Sequence, residues 1–183
     1  GTWNAVFVTC QFLLVVVPPV LVAAAVADEV EDKTSAYLWS RALPRWTVIV
    51  GKLVGLAPVC AVLLGGSAAV AYFAGGLGAV TRTTQLVDGV LGLAAAGVAA
   101  AAIAAAIATL IPRHAVAVTV GWMLLVDSSL SALDIPLRHL STAFAARAIA
   151  GFSSAGPASG AITLVVLTGI ATGVACWRVG RIE

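Results

Sequence analysis

The sequence predicts an all-α, polytopic membrane helix bundle, and three observations carry that reading. Of 183 residues, 61% are hydrophobic and only 10% are charged, where a soluble domain has about a quarter of its residues charged. Mean hydropathy is +1.08. The charges are gathered into short segments, leaving uncharged runs long enough to cross the roughly 30 Å hydrocarbon core of a bilayer, which needs about 20 apolar residues as a helix. So few charged side chains cannot cover a soluble domain of this length. A water-soluble enzyme, a nucleic-acid-binding domain and a disordered regulator are thereby excluded. The net charge of +2 is small, so the placement of the basic residues matters more than their sum.

Five spans are predicted, over residues 5–27, 48–77, 89–111, 115–133 and 158–178. The first is interrupted only by Thr9, Gln11 and the Pro18-Pro19 pair, and proline is tolerated in a span where neighbouring helices cover the freed carbonyls. The third is mostly alanine, valine and glycine. The fourth is the irregular one. Ala115 to Val126 supplies only about 18 Å of helix before Asp127, so the span has to extend to Leu133 with Asp127 in its outer third. If the segment after the first span is cytoplasmic, Lys33, Arg41, Arg45, Lys52, Arg113, Arg178 and Arg181 face inward, and Arg82, Arg138 and Arg147 face outward. That asymmetry follows the positive-inside rule. It sets Gly1 outside and predicts a further span upstream, six in the intact protein.

Two segments outside the spans are informative. Residues 28–43 open on Asp28, Glu29, Glu31 and Asp32, and Glu29 and Lys33 are four apart in the favourable order. Val30, Thr34, Tyr37 and Leu38 fall on one helical face, and Pro44 ends the pattern. This predicts an amphipathic helix lying along the cytoplasmic interface. On the outer side, residues 135–150 predict a second short amphipathic segment with Leu137, Leu140, Phe144 and Ala148 on one face, followed by a loop from Ser153 to Pro157. Gly51/Gly55 and Gly169/Gly173 have the spacing that lets membrane helices approach closely, a pattern that chance also produces in so glycine-rich a chain.

Motifs for chemistry are missing from the sequence. Gly51-Lys52 has Trp46 where a P-loop needs its first glycine, and Leu53 follows the lysine. Ser159 sits in Gly-Pro-Ala-Ser-Gly, with Pro157 in the place of a protease motif's first glycine and no later histidine to act as base. His114 and His139 fall on loops predicted on opposite sides, so no metal site is expected. Cys10, Cys60 and Cys176 lie in apolar stretches and read as small core residues. Asp127 and Asp134, seven residues apart, form a possible intramembrane or outer polar site. Ionisable groups in a span are functional candidates, but the expected setting is a span that ends there with both acids in water.

The stretch Ala27–Leu53 resembles the segment after the second span in permease subunits of exporter-type ATP-binding-cassette transporters, of the second permease class. The matching residues are Glu29 and Glu31, Thr34, Tyr37 and Leu38, Pro44 and Arg45, and Gly51-Lys52, with Lys33 where glycine is usual. The resemblance implies that residues 28–43 form a coupling helix docking into a cytoplasmic ATPase subunit through Glu29, Glu31, Thr34, Tyr37, Leu38, Arg41, Pro44 and Arg45, with Arg113 in a second contact. It further implies a chain with no catalytic residue, no metal and no cofactor of its own, since ATP and Mg belong to the partner ATPase. The implied setting is multi-pass in the cell (plasma or inner) membrane, beside a second permease copy or homologue, without nucleic acid. A structural or assembly protein without transport activity is the alternative function, and a secondary carrier is a further one.

Overall fold

A peptide group in hydrocarbon has no water to bond, so the backbone must satisfy itself within helices. The computed structural model describes residues 2–31, 46–75, 83–133 and 135–180, and over these it is helical with no strand. Five helical stretches are long and apolar enough to cross a membrane: Phe7–Asp28, Trp46–Ala74, Thr84–Leu110, Pro112–Ala132 and Pro157–Gly180. The third begins earlier than residue 89, because Thr83–Asp88 joins its helix.

The first span is assembled from α1 (Thr2–Gln11), α2 (Leu13–Pro18), a π turn (Pro19–Ala23) and α3 (Ala24–Glu31). Two adjacent prolines lack the N–H groups that would close the preceding turn, and the helix widens at that point. Pro18 and Pro19 are fully buried, so the bundle shields the carbonyls they leave behind. The second span is one helix, α4 (Trp46–Gly75), which continues through Pro58. It runs antiparallel to the first: the Cys10 thiol donates to the Ser67 carbonyl at 3.8 Å, and the Lys52 ammonium donates to the Ala25 carbonyl. Lys52 thereby delivers its ammonium to a main-chain acceptor in the first turn of α3. Replacing Lys52 with methionine should lower stability by about 1–3 kcal/mol, read as a depressed melting temperature in nanodiscs.

The third span, α5 (Thr83–Leu110), occupies the centre. About 61% of its span is buried, against 28% for α4 and 22% for each of the last two spans. Its run of alanines makes this possible, since small side chains let helices approach without a hydrophobic driving force between them. Leu93, Ala96, Ala99 to Ala102, Ala104, Ala105 and Ala108 are all buried. The fourth span follows a tight Pro112–His114 turn and comprises α6 (Ala115–Gly121), a π segment (Trp122–Asp127) and α7 (Ser128–Ala132). The fifth is α9 (Pro157–Gly180), with proline at its first position where a missing N–H costs nothing.

Between the fourth and fifth spans lies α8 (Thr142–Ile149). The expected continuous amphipathic segment over 135–150 is corrected here. Pro136–Leu140 forms a 3-10 turn, Ser141 is extended, and only then does an α-helix begin. Leu137 and Leu140 are exposed while Phe144 and Ala148 are buried, so the four do not share a buried face. The physical reason is Ser141, whose side chain caps a new helix and resets the register.

α8 is wedged against α5 and α9. A Cβ on Gly92 would lie 2.6 Å from the Ala146 carbonyl oxygen, and one on Gly160 would lie 2.6 Å from that of Ala145. Both glycines are therefore needed for close backbone approach. Gly51, Gly55, Gly169 and Gly173, by contrast, would meet nothing within 4 Å. Their four-residue spacing serves no contact within the described residues.

Asp28, Glu29 and Glu31 continue the first helix as part of α3. The remainder of the expected coupling helix, including Thr34, Tyr37, Leu38, Arg41, Pro44 and Arg45, lies outside the described residues, as does Asp134.

Candidate functional site: a buried carboxylate clasp

One face of the fourth span is buried at Ala115, Thr119, Met123 and Asp127, a strict spacing of four. In an α-helix four residues over-rotate by about 40°, so such a stripe would drift off its face. The π segment Trp122–Asp127 winds less per residue and offsets the drift. Asp127 is thereby kept pointing inward, only 7% exposed. The expected water-facing span end is corrected for this residue.

The Asp127 carboxylate meets the start of α8. One oxygen accepts from the Thr142 N–H at 2.7 Å; the other accepts from the Thr142 hydroxyl at 2.9 Å and the Ala143 N–H at 3.2 Å. Ser141 adds a local cap. Its hydroxyl donates to the Asp127 carbonyl at 3.0 Å and accepts from the Phe144 N–H at 3.2 Å. The first N–H groups of α8, which have no partner within the helix, are thus taken up by side chains from two places in the chain. The negative charge also lies at the positive end of the helix dipole.

Two further groups close the assembly. Gln11, buried in the first span, donates through Nε2 to the Ala143 carbonyl at 2.8 Å. Arg147, one turn along α8, donates through Nη2 to the Ser131 hydroxyl at 2.7 Å and through Nε to the Ala143 carbonyl at 3.4 Å. Burial pushes the Arg147 guanidinium down from its ordinary value, and the charge of Asp127 pulls it back up. A cavity of about 140 Å³ lies beside these groups, lined by Gln11, Asp127 and Arg147 along with apolar side chains of the first and fourth spans.

Chemically this is a clasp. A carboxylate has about four acceptor positions, and three are filled by donors on α8. The described residues include no group of three or more His, Cys, Asp or Glu side chains able to hold a metal. The Ser159 hydroxyl donates to the Gly156 carbonyl at 2.7 Å, within the first turn of α9.

Of the residues expected to matter, Asp127 is at the centre of this network. Arg113 is exposed in the Pro112–His114 turn at the other end of the bundle, the end to which α3 carries Glu29 and Glu31. Sequence reasoning missed Gln11, Ser141 and Thr142. The signal for the last two was a Ser-Thr pair before an Ala-rich run ending in arginine, a helix-start pattern. For Gln11 it was a strong hydrogen-bonding group in an otherwise apolar span.

By length and composition, the five long apolar helices among the described residues mark this chain as a multi-pass helical membrane protein. Comparison with protein-family models, with curated proteins and with solved structures finds no match.

Proposed function

We propose that this chain is the membrane-spanning subunit of an ABC exporter, working with a separate cytoplasmic ATPase that binds ATP and Mg, and paired with a second permease copy or homologue. The observation that carries the reading is the resemblance of the Ala27–Leu53 stretch, with its acidic cluster and its Pro-Arg and Gly-Lys steps. Its geometry is compatible: α3 packs against the Pro112–His114 turn, so the two segments assigned to ATPase docking have neighbouring roots at one end of the bundle. Asp28, Arg113 and His114 are exposed there, and exposed charges of both signs suit orientation-specific docking. Two spans joined directly to the docking segment can receive its displacement as tilt. On this reading the chain does no chemistry itself.

Affinity purification of the full-length protein from its own membranes in mild detergent tests this. A stoichiometric P-loop ATPase should accompany the wild type and be lost from a Glu29→Ala/Glu31→Ala/Arg45→Ala variant. Retention by the variant would keep the class and move the docking site. If no ATPase appears with the wild type, the non-transporting assembly role takes its place.

A further inference from the structure

Gln11 is only 8% exposed and lines the 140 Å³ cavity between the first and fourth spans. Its amide is fixed at one end. Nε2 donates to the Ala143 carbonyl at 2.8 Å, and a carbonyl can only accept, so the orientation of the amide is settled. Its Oε1 has no donor among the described residues. A buried acceptor left without a donor is costly, and in native proteins such atoms are almost always satisfied by the protein or by a bound polar molecule. The cavity wall does not supply the donor. The Ser128 hydroxyl donates to the Leu124 carbonyl, and the Ser131 hydroxyl to the Ser128 carbonyl at 2.7 Å. Arg147 turns Nη2 to Ser131 and Nε to Ala143, which leaves Nη1 able to donate to a ligand.

Charge and depth select the ligand. Asp127 and Arg147, of opposite sign, both line the cavity, so their charges offset one another and a neutral ligand fits better than an ion. It must donate to Gln11, and one that also accepts can meet Arg147. A hydroxyl has both properties. Gln11 is four residues from Phe7 and Asp127 five from Ala132, the outer ends of their spans, which is about 6–8 Å inside the apolar layer at the rise of a helix. Hydroxyl groups reach that depth on water and on the glycerol of lipids. The space exceeds the roughly 10–15 Å³ that one water needs. Phe12 and Leu124 on its wall are 64% and 47% exposed, which puts its mouth on the lipid-facing side.

We propose that this cavity binds a neutral hydroxyl group, which donates to Gln11 Oε1 and accepts from Arg147, supplied by water or by the free alcohol of an uncharged glycerolipid. The site requires only that the chain be in a bilayer and stands apart from the exporter reading.

Two measurements on the full-length protein separate the sources. Native mass spectrometry compares dioleoylglycerol with its 3-O-acetyl ester, which has the same two chains and no O–H. Water-edited solid-state NMR in phosphatidylcholine bilayers compares transfer from water protons to the Gln11 amide with transfer to Thr119, which is fully buried and bonded within its own helix. If a lipid alcohol fills the site, dioleoylglycerol should bind about three- to tenfold more tightly than the ester, the scale of one hydrogen bond, and Gln11→Leu should erase the difference. If water fills it, the two lipids bind alike and transfer to Gln11 runs well ahead of transfer to Thr119. Gln11→Leu also gives up the bond to Ala143. Should it lower the melting temperature, Val8→Phe fills the cavity from a wall position outside the clasp, and should remove the lipid preference or slow the transfer. Lipids bound alike with a Gln11 amide as dry as Thr119 overturn the proposal, as does a lipid preference that survives both variants.

Discussion

Replacing Asp127 with alanine should destabilise the protein by about 3–5 kcal/mol, the scale for removing one partner from a buried charged network. The loss has two sources. The N–H groups of Thr142 and Ala143 and the Thr142 hydroxyl would be left without their acceptor, each at about 1–3 kcal/mol if no water replaces it. Arg147 would also lose the nearby negative charge that offsets its burial. Asp127→Asn should fall between the variant and the wild type, because the amide keeps one acceptor oxygen but turns a second donor towards N–H groups already donating. The effect should be local before it is global. Hydrogen–deuterium exchange of peptides covering 141–150 should accelerate strongly in Asp127→Ala, while peptides from α5 change little. Uniform acceleration, or none, would show that the carboxylate does not hold α8.

Gly92→Ala and Gly160→Ala should each cost about 1–3 kcal/mol by overpacking, an unusual loss for a change that ordinarily strengthens a helix. In both, the new methyl would press on a backbone carbonyl, which cannot turn aside as a flexible side chain would. Both carbonyls belong to α8, so once one substitution has displaced that helix the second has less to disturb. The double variant should therefore fall short of additivity, a coupling visible in a double-mutant cycle. Gly169→Ala is the matched control. Nothing lies within 4 Å of its added methyl, and its effect should stay within about 0.5 kcal/mol.

The spans were legible because bilayer thickness imposes a length on any apolar run, and that constraint acts locally. Phe7–Asp28, Trp46–Ala74 and Pro157–Gly180 match the expected 5–27, 48–77 and 158–178 closely. The role of Asp127 was not legible, because its partners are two backbone N–H groups and a hydroxyl fifteen and sixteen positions on. Backbone donors are present at the start of every helix, so no side-chain pattern singles out which of them a distant carboxylate will reach. The outer segment was misread for a related reason. Leu137, Leu140 and Phe144 have helical spacing, but Ser141 outbids it by capping the helix that follows. The glycine pairs mislead in the opposite sense: spacing finds where helices could approach, whereas Gly92 and Gly160, on different spans, become a pair only through α8.

The widened turn at Pro18-Pro19 divides the first span into two arms that answer to different partners. Below it, α3 is tied to the second span by Lys52 and rests on the Pro112–His114 turn. Above it, Gln11 and Cys10 are tied to Ala143 and Ser67. The stretch between them lacks the two N–H groups of Pro18 and Pro19, so rungs of the helical hydrogen-bond ladder are missing there. The first span is thus a jointed rod and not a single rigid one, each arm tied to its own neighbours.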